Sequence, residues 1–268
     1  MNSPSNGSRN RLLAVLSHAD RDLLTPALES IDLDVRHILE VPNDPISHVY
    51  FVESGLVSVV GAAAPNHRIE IGMVGYEGMT GLSIVLGGDR SANETLVQSA
   101  GSAMRLSAKS LRQMMAASPS LTATLLRYVH VFMVQGSQTA LANGRGRLDE
   151  RLARWLLMWD DRVQPDAVAV THEFLALLLG VRRQGVTVAL HELEGKGLIR
   201  STRGEVRILD REGLELAASG FYGVPEAEYA RSMGAGRGRN PDPIRSYRLP
   251  RNFIEPFRGR HATRTNTR

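Results

Sequence analysis

A short cluster near residue 182 carries side chains that can contact the edges of base pairs, four of them by hydrogen bonds and one by apolar contact. Its members are Arg182, Arg183, Gln184, Thr187 and Val188. Arginine can donate two hydrogen bonds to guanine O6 and N7, and glutamine can pair with adenine N6 and N7. Side chains of these types at the start of an exposed helix are suited to the major groove, so the cluster predicts contact with double-stranded DNA.

Two short helices separated by a turn must position this cluster. Thr171 is a favourable N-cap for the first helix, and Gly180 supplies the turn. The apolar positions that would be buried are Phe174, Leu175 and Leu178 in the first helix, and Val186, Leu190 and Leu193 in the second. Their helical spacing leaves the polar cluster on the outer surface of the second helix.

A two-stranded hairpin is predicted directly after these helices. Gly195 to Gly197 ends the second helix, and two short apolar runs flank the turn Arg203-Gly204-Glu205. This hairpin is the expected wing, and Arg203 is included among the candidate DNA contacts. An ordinary helical hairpin in an all-helical core is the alternative, but it does not explain why the second helix opens with two arginines and a glutamine.

A second polar constellation lies in the N-terminal half of the chain. The segment 75–81 is rich in glycine, and Arg90 and Ser91 follow it. A guanidinium and a hydroxyl beside glycine-exposed backbone amides can hold an anion. The alternative is that Arg90 forms an ion pair on the surface or within the fold.

Strands and helices alternate along the chain in blocks. Short β-branched and alternating runs from residue 31 to about 106 predict an antiparallel sandwich or roll, with Ser54-Gly55 as one of its turns. Helical spacing precedes this block and returns after it, in a long helix near 120–142 that Asn143-Gly144 is expected to interrupt. We expect two copies to dimerise on that helix, with Leu125 and Phe132 at the interface.

A further helix follows at Leu148–Trp159, with Leu152, Trp155, Leu156 and Trp159 on one face.

Composition narrows the classes of function. The chain has 268 residues and no cysteine, which excludes disulfides, thiolate metal sites and a cysteine nucleophile. Its polar N-terminus and the lack of a long apolar run predict a soluble, non-secreted protein with no membrane partner. Residues 234–268 carry nine arginines and only two acidic residues, so we expect a basic, disordered tail that adds affinity for phosphates without specificity.

Residues 31–220 resemble the Crp/Fnr family of transcription regulators, and the resemblance is most specific at 171–199. It implies an α+β fold: an N-terminal antiparallel β-roll of cyclic-nucleotide-binding type with flanking helices, a long dimerisation helix and a C-terminal winged helix-turn-helix. By position, Arg183 and Gln184 fall where the family contacts bases, and Thr171 and Arg182 where it contacts phosphates. The implied protein is a cytoplasmic, nucleoid-associated homodimer that binds an inverted repeat and contacts RNA polymerase.

The same resemblance implies an effector site in the roll. By position, Arg90 and Ser91 would hold a cyclic phosphate, Glu77 a ribose hydroxyl, and Ser137 of the dimer helix the base. The spacing departs from the family pattern, because the glutamate position counted back from Arg90 is Thr80. Glycine at 136, where the cyclic-AMP-responsive members have threonine, argues against tight recognition of cyclic AMP. A cyclic nucleotide therefore stays open as the effector, and the sequence indicates no required cofactor and no metal.

The predicted organisation is a helical lead-in at 1–30, the β-roll at 31–118, the dimerisation helix at 119–142, the winged helix-turn-helix at 143–220 and the basic tail at 234–268.

No nucleophile elbow, P-loop or dinucleotide fingerprint is present, so we expect no enzyme. The competing function is a ligand-binding signalling module whose C-terminal helices contact protein rather than DNA.

Overall fold

A computed structural model describes residues 8–64, 67–163 and 168–234. Within them the chain forms an N-terminal roll, a long helix across it and a C-terminal helical unit with a small sheet. The α+β fold class predicted from the sequence is confirmed. Apart from Gly234, the predicted basic tail lies outside the described residues.

The roll is a five-stranded antiparallel sheet. Its strands are β1 (Glu29–Leu33), β2 (Ile38–Glu40), β3 (His48–Ala64), β4 (His67–Val74) and β5 (Glu94–Ser107). They are ordered β1-β5-β3-β4, and β2 pairs with β5. The long strands β3 and β5 carry most of the pairing, from His48 opposite Ser107 to Val60 opposite Glu94.

The sequence prediction of a turn at Ser54-Gly55 is wrong, because β3 continues through both residues. Gly55 has a left-handed backbone with φ of 80°, and a Cβ there would lie 2.5 Å from the carbonyl oxygen of Ser99. The pairing register with β5 shifts on both sides of residue 54. The glycine therefore allows a β-bulge inside one strand rather than a turn between two.

Along the chain, two helices precede the roll, one lies between β4 and β5, and two follow it. They are α1 (Arg11–Ala14), α2 (His18–Leu24), α3 (Leu82–Val85), α4 (Ala108–Ala117) and α5 (Pro119–Arg145). Ser118 caps α5, with its Oγ accepting from the amide of Leu121 at 3.2 Å. Asn143-Gly144 does not interrupt α5, which ends only before Gly146. Glycine costs at most about 1 kcal/mol in a helix interior, and Gly144 lies in the last turn of α5, so the helix continues to Arg145.

One face of α5 packs on its own roll. Leu125 is fully buried, and the ring of Phe132 lies so close to Gly72 that a Cβ there would be 2.7 Å from Cζ. The side chain of Gln135 accepts from the amide of Met73 at 2.7 Å and donates to its carbonyl at 3.2 Å. The expectation that Leu125 and Phe132 face a second copy is therefore wrong, because both lie on the inner face of the helix.

The opposite face of α5 is exposed and largely apolar. Its exposed side chains repeat with alternating steps of three and four residues, as Leu126, His130, Met133, Ser137 and Ala140, with Leu141 beside them. Leu126 is 42%, Met133 62% and Leu141 43% exposed. We call these six residues the outer face of α5. Their spacing matches the seam of a two-stranded coiled coil.

The C-terminal unit contains five helices and a three-stranded sheet among the described residues. They are α6 (Leu148–Asp160), β6 (Val168–Ala169), α7 (His172–Leu179), α8 (Arg183–Gly195), β7 (Ile199–Thr202), β8 (Glu205–Ile208), α9 (Arg211–Ala217) and α10 (Val224–Met233). The sheet is antiparallel in the order β6-β8-β7. No helix in the described part of the chain is long and apolar enough to span a membrane.

Helix α6 is buried on more than the single face predicted for it. Every residue from Leu152 to Trp159 is buried, including Ala153 and Arg154. Helices α8 and α9 pack on α6 from the C-terminal unit, and Leu56 and Met73 of the roll belong to the same apolar core. A helix that is buried on all sides lacks the polar stripe of a surface helix. The apolar residues on one face therefore identify only part of its buried surface.

Two polar links join the roll to the segment that contains α6. The Nε1 of Trp155 donates to Glu70 Oε1 at 2.9 Å, and Arg162 Nε donates to Glu77 Oε1 at 2.7 Å. All four residues are buried or nearly so. Because both links are directional, they fix the orientation of α6 as well as its position.

Helix α10 was not predicted from the sequence. It packs on α5, where Glu228 Oε1 lies 3.2 Å from His130 Nε2, and the hydroxyl of Tyr229 donates to the carbonyl of Glu77 at 3.0 Å. Pro225 in its first turn and Glu226 accepting from Gly223 are typical of a helix start. The C-terminal unit thus returns to the roll after the sheet.

Burial raises the pKa of Glu70 from 4.5 to about 7. The hydroxyl of Ser58 lies 2.6 Å from Glu70 Oε2 and 2.7 Å from Gln98 Oε1, and its one proton can serve only one of them. The folded protein therefore binds the Glu70 proton more tightly than the unfolded chain does. The resulting penalty is absent below pH 4.5 and complete above about pH 7.

We expect Glu70→Gln to remove this penalty, by up to about 3 kcal/mol above pH 7, because an amide cannot ionise. Denaturant unfolding of both proteins at pH 5 and pH 8 gives the comparison. The difference between variant and parent should favour the variant more at pH 8 than at pH 5. An equal difference at the two pH values would contradict the raised pKa.

Candidate nucleic-acid interface

Helices α7 and α8 form the predicted pair around a glycine turn. Thr171 is the N-cap of α7, and its Oγ1 accepts from the amide of Phe174 at 3.2 Å. Gly180 ends α7 in the left-handed conformation, with φ of 63°, and a Cβ there would lie 2.8 Å from Ile69 Cδ1 on β4. The turn therefore needs glycine both for its backbone and for its close approach to the roll.

The first turns of α8 present most of the predicted cluster to solvent. Arg182 is the N-cap, and Arg183 and Gln184 begin the helix, all three exposed. One turn on, Val188 is 58% exposed. Val186, Ala189, Leu190 and Leu193 anchor the other side in the core. The structure thus brings these four candidate contacts to one end of one exposed helix face.

Arg183 has an ionic partner on the neighbouring helix. Its Nε lies 3.0 Å from Glu173 Oε1, and both side chains are about two-thirds exposed. An exposed ion pair of this kind contributes little to stability. Its effect is geometric, because Glu173 engages Nε and leaves both terminal amino groups of Arg183 unused by that pair.

Thr187 is the member of the cluster that turns away from solvent. Its Oγ1 donates to the carbonyl of Arg183 at 3.2 Å and lies 3.1 Å from His172 Nδ1. The residue is half-buried. His172 and Glu173 in the first turn of α7 therefore brace the first turns of α8 at two points, through Thr187 and Arg183.

The hairpin β7–β8 carries three exposed arginines. Arg203 lies at its tip beside Gly204, whose φ is 79°. Arg200 and Arg207 face each other across the strands in register, a pair that the sequence analysis did not select. Glu205 Oε1 lies 3.8 Å from Arg207 Nη2 and offsets part of the repulsion between these like charges, whose exposed positions suit a surface that meets an anion. Side chains alternate between the two faces of a strand, so the neighbours of the buried Ile199 and Val206 point to solvent. This alternation could have identified Arg200 and Arg207 from the sequence.

Glu77, the first of the candidate effector residues, is already engaged. Its Oε1 accepts from Arg162 and its Oε2 from the amide of Gly75 at 3.1 Å. The ring of Tyr128 on α5 fills the space over the next residue, since a Cβ on Gly78 would lie 1.8 Å from the Tyr128 hydroxyl. Glu77 therefore serves as a link between the roll and the segment after α6.

The other candidate effector residues lie apart from Glu77. Arg90 is exposed, donates to the carbonyl of Asn43 at 2.8 Å and lies 3.6 Å from Asp89. Ser91 Oγ accepts from the amide of Asn93 at 3.1 Å, whereas Ser137 lies on the outer face of α5 and donates to the Met133 carbonyl at 2.9 Å. No hydrogen bond or ion pair joins any two of these four described residues.

Residues 150–217 match the model of the Crp-like helix-turn-helix domain. A curated relative, the CRP-like cAMP-activated global transcriptional regulator of Mycobacterium tuberculosis, is 28% identical over 200 residues, covering 71% of this chain and 88% of the relative. Two solved structures share the fold. FixK2 from Bradyrhizobium japonicum has a TM-score of 0.62 at 18% identity, covering 71% of this chain and 96% of that one. The c-di-GMP-responsive regulator CLP of Xanthomonas campestris has a TM-score of 0.59 at 17% sequence identity, covering 72% of this chain and 99% of that one.

We expect Gly180→Ala to lower the free energy of unfolding by about 1–3 kcal/mol, because alanine is strained at positive φ and its Cβ would press on Ile69. Gly195→Ala is the matched control, since nothing lies within 4 Å of a Cβ there and its φ is not left-handed. Denaturant unfolding measures both. Equal stability of the two variants would mean that the turn does not require glycine.

Proposed function

This chain belongs to the Crp/Fnr family of transcription regulators, and from that premise we propose that two copies bind an inverted-repeat DNA site with α8 in the major groove. The DNA-binding regulator is the function that the comparisons support, rather than a module that contacts only protein. The observation that carries our proposal is the exposed start of α8, with Arg183 and Gln184 side by side at its N-terminal end.

The contacts within one half-site divide by chemistry. Arg183 and Gln184 supply the base contacts, with Val188 beside them, because their side chains extend from the end of the helix that enters the groove. Thr171 and Arg182 supply phosphate contacts at the two helix starts, where backbone amides also favour anions. Thr187 positions α8 from its half-buried side.

The hairpin provides the second group of phosphate contacts. Arg203 at the tip and the facing pair Arg200 and Arg207 together present three cations on one exposed element. Phosphate contact would relieve the repulsion within that pair. These contacts fix the register of the protein on the duplex but carry no base information.

Dimerisation on the outer face of α5 supplies the second recognition helix. Two half-sites about one helical turn apart require two copies of α8 in a fixed relation. The apolar repeat of Leu126, Met133 and Leu141 is the exposed surface whose spacing fits a second copy of the same helix. Contact with RNA polymerase, as an activator would make at a promoter, and a cytoplasmic location belong to the same proposal.

The proposal assigns no effector to the set Glu77, Arg90, Ser91 and Ser137. Cyclic-nucleotide binding through them would require Glu77 to exchange its bond to Arg162 for a ribose hydroxyl. It would also require the exposed Arg90 to reach the same ligand. DNA binding through α8 depends on neither rearrangement.

We expect Arg183→Ala and Gln184→Ala to relax base preference at one symmetric pair of positions each, because a bidentate contact is worth about 1–3 kcal/mol of discrimination. Arg182→Ala and Thr171→Ala should weaken binding to all sequences by similar factors. The measurement is a binding-site selection on each variant beside the parent. If the first two variants retained the parental consensus and lost only overall affinity, α8 would not lie in the groove as proposed.

We expect Met133→Glu and Leu126→Glu to convert the dimer to monomer, because each introduces two facing charges at an apolar seam. Analytical ultracentrifugation gives the oligomeric state, and DNA affinity should fall in parallel. Leu216→Glu is the matched control, since Leu216 is 83% exposed on α9 and lies off the outer face of α5. A dimer that survives both seam substitutions would rule out this interface.

A further inference from the structure

Glu173 places a negative charge on the surface that is proposed to face DNA. It lies in the first turn of α7, two residues after the proposed phosphate contact Thr171, and its side chain is 63% exposed. Its Oε1 lies 3.0 Å from Nε of Arg183, the proposed base reader at the start of α8. An acid in this position repels phosphates, so on its own it lowers affinity for every DNA sequence. It can aid recognition only by acting differently on correct and incorrect sequences.

A second contact keeps the first turn of α7 beside the first turns of α8. His172 Nδ1 lies 3.1 Å from Thr187 Oγ1, which donates to the carbonyl of Arg183 at 3.2 Å. Arg183 and Thr187 are four residues apart and therefore share one face of α8. Two consecutive residues of α7 thus contact two positions on that face. This arrangement holds the Glu173 carboxylate next to the Arg183 guanidinium.

The contact at Nε leaves the end of the Arg183 side chain for DNA. A guanidinium presents Nε on its edge and two amino groups at its end, and the pair of amino groups can donate to guanine O6 and N7. An arginine that is oriented before DNA binds loses less rotamer freedom when it makes these bonds. The ion pair with Glu173 therefore favours end-on contact between Arg183 and guanine.

An arginine without such a partner has a second way to bind DNA. When it meets a base other than guanine, its flexible side chain can turn to a phosphate and so replace the lost base contact. A phosphate contact carries no base information, so this movement raises the affinity of incorrect sites. Glu173 opposes the movement, because Arg183 would have to leave its partner and expose an acid to the phosphates.

We propose that Glu173 is a specificity-determining residue, which holds Arg183 for guanine and hinders its movement to a phosphate. The inference rests on the proposed DNA-binding function and deepens it by naming the base that Arg183 reads. Glu173 acts through Arg183 rather than on DNA, so it is a positioning residue. An acid in the first turn of a helix also interacts favourably with the helix dipole, but that effect changes stability and not base preference.

Glu173→Gln tests the inference, because it removes the charge and keeps the size of the side chain. Fluorescence anisotropy at several salt concentrations measures binding to the preferred site and to sites changed at the position that Arg183 reads. We expect tighter binding to the changed sites and a loss of guanine preference of about two- to fivefold per half-site, the range of an exposed ion pair. On the changed sites, the slope of log affinity against log salt should steepen by about one unit per half-site, because Arg183 gains a phosphate contact.

A double-mutant cycle with Arg183→Ala separates positioning from other roles. In the Arg183→Ala background, Glu173→Gln should leave base preference unchanged. A base contact made by Glu173 itself would still alter that preference and would overturn the inference. Glu192→Gln is the matched control, since it removes another exposed acid, whose partner Arg147 lies at 3.9 Å. It should leave the preference for guanine as it is in the parent.

The outcomes distinguish this inference from the proposed function. If Arg183→Ala relaxed the preference at one position and Glu173→Gln did not, the inference alone would be wrong. A parental preference for a base other than guanine at that position would also overturn it. Absence of sequence-specific binding by the parent would contradict the proposed function, and this inference with it. Thermal unfolding is measured on the same samples, and a Glu173→Gln protein that lost only stability would assign Glu173 to the start of α7.

Discussion

The burial of α6 is the constraint on which the rest of the structure depends. This helix carries the core of the C-terminal unit, and it also contacts the roll through Trp155 and the segment that ends at Arg162. A helix covered from both sides cannot rotate without breaking packing on one of them. Its position therefore sets where α8 lies relative to the outer face of α5, and with that the geometry of the proposed dimer on DNA.

Polar groups give this junction its specificity. Apolar packing alone would allow several similar arrangements of roll and C-terminal unit, whereas Glu77–Arg162 and Glu70–Trp155 satisfy their hydrogen bonds in only one. Gln135 adds a third link, because its side chain pairs with both backbone groups of Met73. Burial of these groups has a cost, seen in the raised pKa of Glu70. The same buried groups hold the roll and the C-terminal unit in one defined orientation.

The recognition elements, by contrast, are built from local interactions. The cap at Thr171, the left-handed Gly180 and the contacts from His172 and Glu173 all lie within a short stretch of chain. They set the exposure of Arg182, Arg183 and Gln184 with little help from the roll, apart from the contact of Gly180 with Ile69. This division separates the surface proposed to read bases from the junction proposed to orient it.

The sequence by itself determined the helix pair, its glycine turn, the hairpin and the exposed cluster, because caps, turn glycines and apolar periodicity act over a few residues. It also determined the antiparallel roll in outline. Only the tertiary structure decided which face of α5 is exposed, since Leu125 and Leu126 are both apolar and only packing distinguishes them. Likewise, the partners of Glu70 and Glu77 and the return of α10 depend on residues far apart in the chain. Local pattern carries no information about such contacts, because burial and hydrogen bonding across 85 residues, as between Glu77 and Arg162, arise only when the whole chain is folded.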